Sequence, residues 1–180
     1  MALDPSLRDA ILAAIPRLRA FAMSLSGNVD RSDDLVQDAL VRALANINSF
    51  RPGTNLNAWL FTILRNNFRS EYRRRRREVE DADGGYVESL KSQPEQIGRL
   101  EFAELIVALG RLPDDQREAL LLVGASGFSY EEAAEICGCA VGTIKSRTNR
   151  ARSRLAVLMD VSGAEDFGPD PSTRAILNTA

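Results

Sequence analysis

The chain of 180 residues contains no histidine, which removes the most common general base, the Ser-His and Cys-His nucleophile pairs and most zinc sites. Its two cysteines, Cys137 and Cys139, are too few for a disulfide framework, so we expect a reducing cytoplasm. No stretch approaches about 18 apolar residues, and the N-terminus has no basic patch followed by an apolar run. We therefore expect neither a membrane span nor a signal peptide, and no catalytic residues, metal or cofactor.

Aromatic residues make up only 6% of the chain, whereas apolar residues make up 44%. A β-sandwich usually draws on more aromatic and β-branched residues. Almost every apolar pattern has helical spacing, and no strand pattern is visible. The sequence predicts an all-α protein with small cores spread over helices.

Charge is unevenly distributed, although the net charge is only −2. Residues 1–79 carry 13 basic and 8 acidic side chains, whereas residues 80–120 carry 4 and 10. Of the 23 basic residues, only Lys91 and Lys145 are lysines. A phosphate-binding surface needs local rather than net positive charge, and the planar fork of arginine suits phosphates and guanine edges.

Two helices are predicted before residue 50. The first has apolar residues three or four apart and should break or kink at Pro16. The second should be capped by Ser32, with Asp33 and Asp34 where the helix dipole favours negative charge. Its predicted apolar face is Leu35, Val36, Ala39, Leu40, Ala43, Leu44 and Ile47.

A third helix should follow the loop 50–54, capped by Asn55 or Asn57. It would run into the tract Arg73 to Arg77 and bury a row of large apolar residues: Trp59, Leu60, Ile63, Leu64, Phe68 and Tyr72. Trp59 has the spacing of a core residue, which favours packing over base stacking. Residues 79–96 are acidic and contain glycine, so the sequence predicts a linker between a domain at 1–78 and a domain at 97–160, with a tail at 161–180.

Residues 129–155 have the pattern of a helix-turn-helix. Ser129 and Glu132 form a capping box, and Ala133 and Ala134 allow a second helix to cross closely. Gly138 can adopt the left-handed conformation of a turn. The second helix should bury Val141, Ile144, Thr148, Ala151 and Leu155.

The opposite face of that second helix is polar and basic, and its residues are Lys145, Ser146, Arg147, Asn149, Arg150, Arg152 and Arg154. A helix that enters the major groove must pack through one face and offer hydrogen-bond donors from the other. A solvated amphipathic helix would show the same alternation. The order of capping box, alanines, glycine and basic helix favours DNA binding.

These motifs resemble the extracytoplasmic-function (group IV) sigma factors. Residues 128–136 and 141–147 resemble their domain four, and residues 33–38 resemble the polymerase-binding helix of their domain two. Residues 50–53 through 59–63, with Asn66, resemble that domain's −10 element reader. The strings at 77–83 and 122–127 resemble the subgroup that runs the general stress response.

The resemblance implies two sets of contacts for domain two. Docking on the polymerase clamp would involve Asp33, Asp34, Leu35, Gln37 and Asp38, although Asp33 and Asp34 also fit a purely capping role. Capture of the −10 strand would involve Arg51, Thr54, Asn55, Asn57 and Asn66, with Arg65, Arg69 and Arg73 on phosphates. A polar pocket beside basic charge suits a flipped base.

In domain four, the resemblance implies that Lys145, Ser146, Asn149 and Arg150 contact the −35 element. Thr143, Arg147 and Arg152 belong to the same DNA-binding surface, and Arg147, Arg152 and Arg154 are better placed for phosphates. The resemblance also implies three partners. They are core RNA polymerase through its clamp and flap, promoter DNA, and a small helical anti-sigma factor that a phosphorylated response regulator with a sigma-like domain releases.

Two other functions fit part of the pattern. A conventional regulator that dimerises on a palindrome would use the helix-turn-helix but not the motif at 33–38. A sigma mimic would sequester an anti-sigma factor without binding DNA, which the basic helix 145–154 argues against.

Overall fold

A computed structural model describes residues 4–81 and 97–160. Within those ranges it has seven α-helices and no strand, so the predicted all-α class is confirmed. The helices are α1 (Pro5–Ser26), α2 (Val29–Ala45), α3 (Leu56–Asp81), α4 (Ile97–Gly110), α5 (Asp114–Leu120), α6 (Tyr130–Cys137) and α7 (Val141–Leu158). A 3₁₀ turn at Ile47–Ser49 follows α2, and a π turn at Leu121–Ala125 follows α5. The predicted tail, and all of the predicted linker except residues 79–81, lie outside the described residues.

Helix α1 is one continuous helix, so the break expected at Pro16 is wrong. Proline removes one backbone hydrogen bond, but Ala14 and Leu18 on either side are buried in the core and hold the helix together. The helix is capped by Asp4, whose carboxylate accepts from the backbone N–H groups of Ser6 and Leu7 at 2.9 and 3.1 Å.

Helix α2 begins four residues earlier than expected, and Ser32 is not its cap. The side chain of Asn28 caps the helix by accepting from the backbone N–H of Arg31 at 2.9 Å. Ser32 lies inside the helix, where its hydroxyl donates to the carbonyl of Val29 at 2.7 Å. Asparagine caps as well as serine does, so the earlier start adds a helical turn without losing a cap.

The apolar faces of α2 and α3 follow most of the prediction. On α2, Leu35, Val36, Ala39 and Ala43 are buried, but Leu44 is exposed because it lies on the other side of the helix. Helix α3 is capped by Asn55, whose Oδ1 accepts from the backbone N–H of Ala58 at 3.1 Å. Along α3 the fully buried positions are Leu60, Phe61, Leu64 and Phe68.

Two details of α3 differ from the prediction. Tyr72 is exposed, and Trp59 and Ile63 are half-buried. The helix continues to Asp81, three residues into the segment assigned to the linker. The run of arginines at 73–77 therefore lies within α3.

Helix α5 begins after Pro113, with Asp114 and Asp115 in its first turn as predicted. The chain then widens into the π turn, in which the backbone N–H of Ser126 donates to the carbonyl of Leu121 at 2.8 Å. Gly127 follows with φ of +71°, a conformation that glycine adopts without strain.

The predicted helix-turn-helix is confirmed in detail. Ser129 and Glu132 make both hydrogen bonds of the capping box, at 2.9 and 3.1 Å. Gly138 is left-handed at φ +62°, and α7 starts three residues later. The buried face of α7 contains Ile144, Thr148, Ala151 and Leu155 as expected, whereas Val141 is half-buried.

The N-terminal bundle (α1–α3) and the C-terminal unit (α4–α7) pack on one another. Helix α3 contacts α6, and α1 contacts α4 and the π turn. The fully buried ring of Phe61 joins the two cores, with Phe21 at 5.0 Å on the bundle side and Phe128 at 4.9 Å on the other. No described helix is both long and apolar enough to cross a bilayer.

The capping box should contribute to the stability of the C-terminal unit. Ser129→Ala removes the acceptor of the Glu132 N–H, and we expect it to lower the free energy of unfolding by about 1 kcal/mol, as for other N-caps. Urea denaturation followed by circular dichroism measures this loss. Ser153→Ala is the control, since that exposed hydroxyl only donates to the carbonyl of Asn149 within α7. Equal losses in both variants would contradict the capping role.

Candidate nucleic-acid interface

The exposed side of α7 gathers the side chains predicted to contact the −35 element. Lys145, Ser146, Asn149 and Arg150 are all exposed, opposite the buried face of the helix. Lys145 Nζ lies 5.7 Å from the ring of Tyr130 on α6, which orients the ammonium group. The helix therefore offers donors to a groove while its other side is fixed by packing.

Three neighbouring side chains are less exposed to solvent. Thr143, Arg147 and Arg152 are half-buried. The Nε of Arg147 lies 3.0 Å from Asp115 Oδ2 on α5, and its Nη1 donates to Cys139 Sγ at 3.8 Å. Arg147 is thus held within its own unit, which fits a backbone contact at the edge of the helix better than a base contact.

The loop 51–57 is the predicted pocket for the −10 strand. Arg51 and Thr54 are exposed, and the Thr54 hydroxyl donates to the carbonyl of Arg51 at 2.7 Å, which shapes the turn. Gly53 has φ of +88° in this turn. Asn57 is half-buried at the start of α3, whereas the Nδ2 of Asn55 points away and donates to Glu132 Oε1 of α6 at 2.6 Å.

A cavity of about 250 Å³ lies between the end of α2 and the middle of α3, lined by residues from 42–49 and 59–67. Asn66 is exposed at this cavity, and one edge of the half-buried Trp59 lines it. The Trp59 ring packs 5.3 Å from Phe50. Trp59 therefore belongs to the core on one side, as the sequence predicts, and borders a polar cavity on the other, lined also by Arg42, Asn46, Ser49, Ile63 and Asn67.

The predicted polymerase-docking residues lie on α2 beside a larger cavity of about 820 Å³ that α3 closes on its other side. Asp34, Gln37 and Asp38 are exposed at this cavity. Leu35 is only 3% exposed, so its main contribution is packing beneath the surface rather than docking. Asp33 accepts from the Nε of Arg19 at 2.6 Å.

Two family models match the chain: Sigma-70 region 2 over residues 11–78 and Sigma-70, region 4 over residues 102–155. The chain is 72% identical to the ECF RNA polymerase sigma factor EcfG of Rhodopseudomonas palustris (strain TIE-1), over 98% of each chain. The chain belongs to the extracytoplasmic-function sigma factors. In this sigma factor, the bundle α1–α3 is domain two and the unit α4–α7 is domain four.

Solved structures support the same family assignment. The sigma factor RpoE of Bartonella quintana, in complex with the anti-sigma factor NepR, matches with a TM-score of 0.83 at 54% identity, over 89% of this chain and 100% of that one. CnrH in complex with the cytosolic domain of CnrY matches with a TM-score of 0.64 at 29% identity, over 87% and 91%. The match to RpoE covers residues of both domains of this chain in one alignment.

Two of the arginines predicted to contact −10 phosphates point at domain four instead. The Nε of Arg65 donates to Glu118 Oε2 at 2.9 Å, and the Nε of Arg69 donates to Glu118 Oε1 at 3.0 Å. Arg65 is 4% exposed and also donates to the carbonyl of Ile136 at 3.4 Å. Arg73 is exposed further along α3. In this arrangement a phosphate can reach Arg73 but not Arg65.

Sequence reasoning did not find the domain-four side of this contact. Glu118 is 1% exposed on α5, where it follows Asp114, Asp115, Gln116 and Arg117 and precedes the apolar run from Ala119 to Val123. Because polar residues precede it, no signal in the sequence marks this carboxylate as buried and paired with arginines of α3. Arg17, whose guanidinium lies 5.8 Å from the Phe128 ring and donates to the carbonyl of Ser126, carried no sequence signal of its own.

The two cysteines flank the turn of the helix-turn-helix and are half-buried. Burial raises the pKa of the Cys137 thiol to about 11, so the thiol stays protonated near neutral pH. Among the described residues, no three histidine, cysteine, aspartate or glutamate side chains form a group that could hold a metal ion. A protonated thiol reacts slowly, which makes Cys137 a packing residue rather than a redox sensor.

This predicts slow alkylation of Cys137. In a Cys139→Ser variant, iodoacetamide at pH 8 should modify folded protein roughly tenfold to a hundredfold more slowly than the same variant in urea, because only the thiolate reacts. The rate should keep rising with pH up to about pH 11, above the plateau of an ordinary thiol. Equal rates in the folded and unfolded protein would contradict the burial of the thiol.

Proposed function

We propose that the protein is an alternative sigma factor whose domain two captures the −10 strand and whose domain four places α7 in the major groove at −35. The observation that carries this proposal is the two-sided α7. Five residues of α7 are buried, and Lys145, Ser146, Asn149 and Arg150 are exposed on the other side. Core RNA polymerase supplies the chemistry of RNA synthesis, and the sigma factor has no catalytic step of its own.

The −10 element is recognised by loop 51–57 and the cavity beside Asn66. Amide and hydroxyl groups there can donate to and accept from a base edge, and exposed Arg51 supplies charge for the backbone. A base removed from the stack needs a pocket of this polar kind beside an aromatic wall, and Trp59 provides the wall. Arg73 contacts a phosphate further along the strand.

Docking on polymerase uses the acidic side of α2. Asp34, Gln37 and Asp38 are exposed on successive turns and are not part of the core. Their charge suits a basic partner surface, and their place beside a cavity suits an inserted side chain. The clamp of polymerase takes this surface and the flap takes domain four, as the family resemblance implies.

The chain acts in the cytoplasm and is held inactive by a small helical anti-sigma factor. Its likeness to RpoE bound to NepR, and to EcfG, supports this partner and a role in the general stress response. As in the subgroup it resembles, a phosphorylated response regulator with a sigma-like domain releases the sigma factor. A sigma mimic would not need the exposed donors of α7, and a dimeric regulator would not need the acidic side of α2.

The polymerase contact predicts the outcome of a charge reversal. Asp38→Arg should abolish binding to core polymerase and promoter-dependent run-off transcription, since an exposed carboxylate of the docking surface becomes a cation. Asp9→Arg, an equal reversal at an exposed position of α1, should leave both near wild type. A wild-type protein that fails to direct any transcript above core enzyme alone would remove the proposal.

The −35 contact predicts a sequence-dependent loss. Lys145→Ala and Arg150→Ala should each weaken binding to a −35 duplex by about 1–3 kcal/mol if they contact base edges. Arg154→Ala should weaken binding equally on specific and scrambled duplexes and lower the salt slope, because a phosphate contact carries no sequence information. Fluorescence anisotropy measures all three. Equal losses for Lys145→Ala on both duplexes would contradict base recognition.

A further inference from the structure

An aromatic ring on α6 lies beside one of the side chains assigned to the −35 element. The Nζ of Lys145 on α7 is 5.7 Å from the centre of the Tyr130 ring. Lys145 is exposed, whereas Tyr130 is half-buried and packs against the hydrophobic core. The contact therefore joins a packed ring on the first helix of the helix-turn-helix to a long, exposed side chain on the second.

The local structure around Tyr130 holds its ring in place. Tyr130 is the first residue of α6 and follows the capping residue Ser129 directly. The two hydrogen bonds between Ser129 and Glu132, at 2.9 and 3.1 Å, fix the backbone at this end of the helix. A tyrosine side chain has only two torsions, and packing restricts both. The position of the ring is thus set by the fold and does not depend on Lys145.

A lysine gains more from such a partner than a stiffer side chain would. Its ammonium group is a point charge on a flexible stem of four carbons. Immobilising a flexible side chain on binding lowers the affinity, so a contact that orders it beforehand raises the affinity. Lys145 lies in the N-terminal part of α7, which is the part of a recognition helix that contacts base edges. The ring would therefore restrict the ammonium group where its position matters for recognition.

The ring contact orders Lys145 without neutralising it. Within residues 4–81 and 97–160, Lys145 makes no salt bridge, and an aromatic face attracts a cation while leaving N–H groups free to donate elsewhere. Arg147 differs, because its Nε lies 3.0 Å from Asp115 Oδ2 within the same domain. Lys145 therefore keeps its charge and its donors for the acceptors that a guanine presents in the major groove.

We propose that Tyr130 is a positioning residue for promoter recognition: its ring holds the ammonium group of Lys145 against one base pair of the −35 element and so narrows the set of sequences that α7 accepts. The inference rests on the proposed function for the assignment of Lys145 to a base edge. It adds a residue of α6, outside the recognition helix, to the side chains that determine −35 specificity.

The first test detects the ring contact in the free, full-length protein. The chain has two lysines, Lys91 and Lys145, so a Lys91→Arg protein grown with isotopically labelled lysine gives the NMR signals of Lys145 alone. Because protons over an aromatic face resonate upfield, we expect the ε-methylene signal of Lys145 to lie upfield of its position in urea. Tyr130→Leu should abolish this shift, and Tyr130→Phe should keep it. An unshifted signal in the folded protein would overturn the proposal.

The second test measures recognition by fluorescence anisotropy on a −35 duplex and on a scrambled duplex of equal length. Tyr130→Leu should weaken binding to the −35 duplex about twofold to fivefold, the effect of losing an exposed cation–π contact. Binding to the scrambled duplex and its salt dependence should not change, because Lys145 keeps its charge. Tyr130→Phe should restore −35 binding. Equal losses on both duplexes, or in both variants, would refute positioning by the ring.

A double-mutant cycle separates positioning from general damage to α6. In a Lys145→Ala background, Tyr130→Leu should have no further effect on −35 binding, because the side chain that it positions is gone. In an Arg150→Ala background it should still weaken binding about twofold to fivefold, since the effects of independent contacts add. An undiminished effect of Tyr130→Leu in the Lys145→Ala background would contradict the proposal.

Failure of the proposed function would be recognised separately. A wild-type protein that binds the −35 and scrambled duplexes equally would contradict the assignment of α7 to the −35 element. The NMR signal of Lys145 does not depend on DNA, so it would still decide whether Tyr130 orders this side chain.

Discussion

The ion pairs of Glu118 connect the fold of this sigma factor to its function. A buried carboxylate is stable only with a cation, and here the cations belong to the other domain. Removing one partner of a buried pair typically costs about 3–5 kcal/mol, because a charge is left in an apolar environment. Opening the whole contact is different, since Glu118, Arg65 and Arg69 all regain water. Loss of one charged partner is therefore costly, whereas separation of the whole contact leaves no charge buried without a partner.

Helix α7 also has to combine packing with exposed polar groups. It must bury one face against α5 and α6, and it must leave donors on the other face free of partners within the chain. The capping box and the left-handed Gly138 fix the start of α6 and the turn before α7, so the exposed donors have one orientation. Domain four therefore keeps the donors of α7 exposed while its α6 packs on α3 of domain two.

The local signals in the sequence were sufficient for the helices, the helix-turn-helix and the exposed face of α7. They failed where two signals were equivalent, as with Asn28 and Ser32 as caps of α2, or where packing overrode a local rule, as at Pro16. The interdomain contact could not be predicted from the sequence, because an arginine such as Arg65 has the same sequence pattern on a phosphate-binding surface as in a buried ion pair. The sequence around Glu118, which follows four polar residues in α5, does not separate the two cases either.

The ion pairs of Glu118 change how the charge pattern of the chain is interpreted. Two arginines of the basic segment 1–79 pair with one carboxylate of domain four, Glu118, which reduces the basic charge that domain two offers to DNA of any sequence. A partner that docks on both domains would favour whichever arrangement of the two it binds more tightly.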